Sequence, residues 1–122
     1  MATKTTQKLV CPLNTALDIV GGKWKLKILY HLLDNPKRFG ELRKLLSGVT
    51  QQMLTTQLRE LEQDGVIHRE IYKEIPPKVE YSVTEFGISL TPVLNALSEW
   101  GTVNLSIIEQ LREDGASTRQ FD

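Results

Sequence analysis

The sequence predicts a mainly α-helical chain with one small β-hairpin, an α+β class, and three observations carry that expectation. Apolar residues recur at three- and four-residue spacing along most of the 122 residues, the signature of amphipathic helices. One stretch changes period: residues 66–74 and 78–83 are rich in β-branched and aromatic side chains alternating with polar ones, and Ile75-Pro76-Pro77 splits them. Glycine and proline punctuate the helical pattern at Gly21-Gly22, Pro36, Gly48 and Gly65.

Residues 1–10 are polar and are expected to be frayed or adaptable. Pro12 suits the first position of a helix, where its missing N–H costs nothing. That helix should cover 13–20 with Ala16, Leu17 and Val20 facing inward, and Gly21-Gly22 breaks it. A second helix is predicted over 23–33, burying Trp24, Ile28, Leu29 and Leu32 while Lys23, Lys25 and Lys27 lie outward. Asp34-Asn35-Pro36 ends it, because proline cannot continue the hydrogen-bond ladder. Arg38-Phe39 is expected as a very short strand, followed by a helix over 40–46 that buries Leu42, Leu45 and Leu46.

Ser47-Gly48-Val49 is a three-residue turn into the helix predicted over 50–64. Thr50 can cap that helix with its hydroxyl, and Gly65 can end it in the left-handed conformation. Leu54, Leu58 and Leu61 form its buried stripe. Gln52, Thr55, Thr56, Arg59 and Gln63 gather on the opposite face, with the amides, hydroxyls and guanidinium that hydrogen-bond base edges in a major groove. Two helices joined by a short glycine-containing turn, the second polar on its outer face, make a helix-turn-helix. With the hairpin behind it, the expected architecture is a winged helix-turn-helix with extra N- and C-terminal dimerisation helices.

Thr84-Glu85 opens a long helical region with Thr84 as cap and Glu85 at the positive end of the dipole. Phe86, Leu90, Val93, Leu94, Leu97 and Trp100 form an apolar stripe, continued by Val103, Ile107, Ile108 and Leu111. Pro92 should kink the region and Gly101 break it. The stripe is broader than so small a core requires, so a second copy of the chain is expected to cover part of it. Residues 11–22 and 84–113 are the expected dimerisation elements, with Leu13, Leu17, Leu90, Leu94, Leu97, Trp100, Ile107, Ile108 and Leu111 at the interface.

Length and composition bound the function. A chain of 122 residues is expected to be one domain, and no apolar run is long enough to span a bilayer or serve as a signal peptide. Cys11 is the single cysteine, which rules out an intrachain disulfide and agrees with a cytoplasmic protein. Formal net charge is zero, but residues 23–44 hold seven basic side chains against Asp34 and Glu41, and from Glu85 onward acids dominate. One basic region suits an anionic partner. An enzyme is not expected: His31 and His68 fall in no triad or metal spacing, there is no phosphate-binding glycine loop, and no cofactor is implied.

Several motifs occur in one order: Cys11-Pro12, Ala16-Leu17-Asp18, Gly21-Gly22-Lys23-Trp24, Arg38-Phe39, Glu41-Leu42, Leu58-Arg59-Glu60-Leu61-Glu62, Gly65, Pro77, Val79-Glu80-Tyr81, Thr84-Glu85, Gly87, Leu97 and Trp100-Gly101. Together they resemble the HxlR-type bacterial transcriptional regulators over about residues 11–101. The resemblance implies a homodimer that binds double-stranded DNA, often as a repressor. On the residues, Thr50, Gln51, Gln52, Thr55, Thr56 and Arg59 are expected to read the groove. Lys23, Lys25, Lys37, Arg38, Arg43 and Lys44, with Lys73 and Lys78 on the hairpin, are expected to hold the backbone. Gln52 stands where many relatives carry lysine, which leaves Arg59 the one cation on the reading face.

Some relatives sense oxidants, aldehydes or quinones through the cysteine matched by Cys11, and a thiol at a helix N-terminus is favoured as the nucleophilic thiolate. The alternative is a small packing residue at the dimer interface. With an inert Cys11, a small-molecule-responsive regulator with Phe86, Trp100 and Pro92 around its pocket is the nearest rival. A winged helix that binds protein in place of DNA is a third reading, disfavoured by the basic stretch.

Overall fold

The computed structural model describes residues 11–119, with side chains described as far as Gly115; the expected adaptability of residues 1–10 lies outside the described residues. Nine elements follow in chain order: α1 (Pro12–Val20), α2 (Lys25–Asp34), α3 (Phe39–Leu45), α4 (Gln51–Gln63), β1 (Ile67–Tyr72), β2 (Lys78–Val83), α5 (Glu85–Ile88), α6 (Thr91–Val103) and α7 (Leu105–Arg119). They group into two compact units, one ending at Leu90 and the other beginning at Thr91.

In the first unit the core is aliphatic. Ile28, Leu29 and Leu32 of α2, Leu42 and Leu46 at α3, Leu54, Leu58 and Leu61 of α4, and Val66 and Ile67 at the hairpin are all fully or almost fully buried. This is the predicted stripe on α4 meeting the predicted stripe on α2. Gly48 takes φ +88°, a left-handed turn residue between α3 and α4 that a side chain would strain.

Both ends of α4 close as the sequence dictates. Thr50 Oγ1 accepts from the Met53 N–H at 3.1 Å. At the far end Gly65 takes φ +75°, and its N–H donates to the Glu62 carbonyl while Val66 N–H donates to the Leu61 carbonyl, each at 3.0 Å. That pair of bonds is a Schellman exit, which satisfies the last carbonyls of the helix and turns the chain into β1.

The hairpin is antiparallel, with Ile67 opposite Val83, Arg69 opposite Tyr81 and Tyr72 opposite Lys78. Thr84 then locks its base: the hydroxyl donates to the Gly65 carbonyl at 2.6 Å and accepts from the Gly87 N–H at 3.0 Å, capping α5.

Several expectations change. The short strand is one residue earlier than Arg38-Phe39: Lys37 and Tyr81 exchange two backbone hydrogen bonds, at 2.9 and 2.8 Å. Arg38 is instead the N-cap of α3, its N–H held by Glu41 Oε1 at 2.9 Å. Leu45 is exposed, because α2 and β2 are the elements packed on α3 and it is Leu42 and Leu46 that are buried there. On α1 only Val20 is buried; Ala16 and Leu17 are exposed, because the helix packs only lightly on the other described elements of this unit.

The region after Thr84 is three helices and not one. The interruption falls at Ser89-Leu90, before Pro92, which takes the second position of α6 where no N–H is needed. Gly101 continues α6 without a break. The second interruption falls instead at Asn104, whose N–H and side-chain amide both donate to the Trp100 carbonyl, at 3.1 and 2.9 Å. In this second unit Val93, Leu97, Trp100, Val103, Leu105, Ile107 and Leu111 are all exposed.

Candidate nucleic-acid interface

Gln51, Gln52, Thr55, Thr56 and Arg59 are all exposed and line one shallow depression along α4. The helical repeat places them together, because their buried counterparts Leu54, Leu58 and Leu61 occupy the other side. Their hydrogen-bonding capacities differ. Thr55 Oγ1 donates to the Gln51 carbonyl at 2.8 Å, so its proton is engaged by the helix and it presents a lone pair and a methyl group outward. Thr50 uses its oxygen as the cap acceptor, and its O–H remains able to donate to a phosphate at the helix N-terminus.

The two carboxylates near this face are neutralised from outside the helix. Glu60 pairs with Lys25 Nζ of α2 at 2.7 Å, and Glu62 pairs with Arg69 Nε of β1 at 3.3 Å. Lys25 is therefore not the outward cation expected from the sequence. It is 7% exposed, because the helix-turn-helix packing lays its methylene stem in the core and leads the ammonium to Glu60. That geometry withdraws it from the backbone-holding set.

The other expected backbone-holding residues differ in how free they are. Lys23 is exposed and, with Lys27, stands 5.0 Å from the Trp24 ring centre, a cation–π contact that keeps both ammonium groups at the surface. Lys37 is half-buried and donates to Asn35 Oδ1. Arg38, Arg43 and Lys44 are exposed around α3. On the hairpin Lys73 is exposed, whereas Lys78 lies 5.0 Å from the Tyr72 ring centre and 3.5 Å from Glu80.

Sequence reasoning missed Arg69 and Tyr81. As directly opposed strand residues they share one face of the hairpin. With Thr55, Leu58, Arg59 and Glu62 they line a notch of about 240 Å3 between α4 and the hairpin. The signal was available: Arg69 is two residues from the buried Ile67, so strand alternation turns both toward the helix. Burial pushes the Tyr81 phenol above its ordinary value; Glu62 adds to the shift and Arg69 opposes it.

Of the expected interface residues, Leu13, Leu17, Leu97, Trp100, Ile107 and Leu111 are exposed, and Leu90 and Ile108 are half-buried. Leu94 is only 5% exposed and is already covered within a single chain, a correction to its place on that list. Cys11 is exposed at the N-cap of α1. Of the residues expected around a small-molecule pocket, Phe86 lies in the first unit and Pro92 and Trp100 in the second. Phe86 lines an apolar cavity of about 500 Å3 with Pro12, Ala16, Ile19, Val20 and Leu90, while Pro92 and Trp100 line a separate groove with Val93 and Leu97. Among the described residues no cluster of His, Cys, Asp and Glu could hold a metal ion, and no helix is long and apolar enough to cross a membrane.

A capped, exposed second helix with a two-stranded hairpin behind it defines a winged helix-turn-helix protein. Residues 19–109 match the HxlR-like helix-turn-helix family, and the chain belongs to it. It is 60% identical over 101 residues to YdeP of Bacillus subtilis, an uncharacterised HTH-type transcriptional regulator, covering 83% of this chain and 79% of that one. Among solved structures, the redox regulator HypR in its reduced form superposes with a TM-score of 0.78 at 51% identity, covering 82% of this chain and 99% of that one. The oxidised form of HypR gives 0.75 at 54% identity, covering 77% and 97%. The class is thus that of a helix-turn-helix transcriptional regulator.

Proposed function

We propose that the chain acts as a homodimer on an inverted repeat in duplex DNA and represses the gene it controls. Two copies of α4 enter successive major grooves about 34 Å apart. Gln51, Gln52, Thr55 and Thr56 read bases there, Arg59 takes a guanine or a phosphate, and the basic residues of α3 and the hairpin hold the backbone. The observation that carries this reading is the polar face of α4: five hydrogen-bonding side chains gathered on one exposed surface, on a helix closed at both ends. The homodimer rests on the apolar residues left open on α1, α6 and α7, Trp100 at 62% exposure among them. Footprinting on DNA upstream of neighbouring genes should show two protected half-sites one helical turn apart, and light scattering should give twice the chain mass. A monomer that protects a single site overturns the dimer.

A second reading concerns Cys11. Its exposure at the N-cap of α1 and the likeness to a redox regulator solved in two oxidation states favour an oxidant- or electrophile-responsive thiol. With one cysteine per chain, the response is an intersubunit Cys11–Cys11 bond, a mixed disulfide with a small thiol, or alkylation. Diamide or quinone should change operator affinity, and Cys11→Ser should not respond. Equal behaviour of the two proteins makes the thiol a packing residue and leaves the small-molecule-responsive regulator as the alternative.

A further inference from the structure

Between the reading helix and the hairpin lies the notch lined by Thr55, Arg59, Glu62, Arg69 and Tyr81 over a floor of Leu58. Thr55, Arg59 and Glu62 follow one another at four- and three-residue spacing and so share one face of α4. Arg69 and Tyr81 reach the same space from opposed positions on β1 and β2. The notch therefore holds two guanidinium groups, a phenol and one carboxylate. Glu62 occupies only part of its donor capacity: Arg69 meets that carboxylate through Nε at 3.3 Å, and a guanidinium carries five N–H donors in all.

The path of a DNA strand past α4 and the hairpin gives the notch a candidate occupant. When α4 lies in a major groove and the hairpin reaches the neighbouring minor groove, the sugar–phosphate strand dividing the two grooves must cross between these elements. We propose that this notch seats one backbone phosphate of duplex DNA, held by Arg69 and Arg59, with Glu62 orienting the Arg69 guanidinium before DNA arrives. Arg69 is thus a phosphate-binding residue and Glu62 a positioning residue. The proposal rests on the DNA-binding reading of α4. Glu62 is the local anion that the phosphate supplements, so the two halves of the ion pair affect binding with opposite signs.

The test uses the whole chain, a random-sequence duplex and fluorescence polarisation at several salt concentrations, comparing the parent with Arg69→Gln and Glu62→Gln. Losing one phosphate contact should lower the slope of log K against log salt by about 1 for Arg69→Gln. Glu62→Gln should bind more tightly than the parent with no loss of slope, since a negative charge beside the phosphate is gone. If the ion pair merely braces the hairpin, both variants weaken binding alike and the Arg69→Gln slope equals that of the parent; either result overturns the proposal. A parent protein that shows no salt-dependent duplex binding refutes the DNA-binding reading itself. Binding by the parent with an unchanged Arg69→Gln slope removes only the notch.

Discussion

Breaking the Lys25–Glu60 pair from its two ends should have unequal effects, because the partners differ in access to water. The ammonium and carboxylate are 2.7 Å apart, with 9% of the Lys25 side chain exposed against 46% of Glu60. At that separation the attraction is about 6 kcal/mol for the effective dielectric of a protein surface and about 1.5 kcal/mol in bulk water. The open carboxylate places the pair toward the lower half of that range. Glu60→Ala strands a buried ammonium, and we expect a loss of about 2–3 kcal/mol, below the roughly 3–5 kcal/mol seen when a fully buried pair is broken. Lys25→Met keeps the buried stem, removes the charge, and leaves a carboxylate that water can solvate. That change should cost less than about 1 kcal/mol. In urea denaturation at one protein concentration, Glu60→Ala should lower the midpoint by roughly 1–2 M. Lys25→Met should stay near the parent and keep its salt dependence on duplex DNA. A Lys25→Met variant as unstable as Glu60→Ala, or one with a reduced salt slope, would refute the placement of Lys25 in the core.

The remaining expectations concern α4 and its supports. Thr50→Ala removes the acceptor for Met53 N–H and should cost about 1 kcal/mol of stability in urea. Arg59→Ala should reduce operator affinity by about 1–3 kcal/mol if the guanidinium reads a base, measured by gel-shift titration; unchanged affinity strikes it from the reading set. Gly87→Ala places a methyl group 2.2 Å from the Val66 carbonyl oxygen, and overpacking against the backbone should cost roughly 3 kcal/mol, read from thermal unfolding. Tyr81 is held protonated by burial, with Glu62 adding to that effect. Its contribution is complete below the ordinary phenol value of about 10 and is lost as pH rises through the higher folded value. Tyr81→Phe should therefore lose stability less steeply than the parent above that pH in alkaline urea titrations.

The helix-turn-helix was legible because its signals are local. Thr50, Gly65 and the Leu54–Leu58–Leu61 stripe each act within a few residues, and each does in the structure what its type dictates. What escaped depends on contacts between elements distant in sequence. Nothing near Lys25 tells it from Lys23 or Lys27; only the packing of α2 against α4 sends its ammonium to Glu60. Arg69 likewise acquires its place from the strand register and the approach of β1 to α4. Pro92 misled for a different reason. Proline disrupts a helix interior but is welcome in a first turn, and the residues around it do not say where that turn begins. The apolar stripe after Thr84 was visible as periodicity, yet packing alone separates the buried Leu94 from the exposed Leu97.

The composition of α4 has a consequence for how the protein finds its site. Its sequence, QQMLTTQLRELEQ, carries one arginine against two glutamates, whose charges are met by Lys25 and Arg69. A helix so nearly neutral gains little from phosphates when the bases beneath it are wrong. On the proposed reading, the non-specific share of the affinity then comes from cations outside this helix. If α4 reads the operator as proposed, its amides and hydroxyls set the choice of sequence, and the cations of α3 and the hairpin set the strength of the grip.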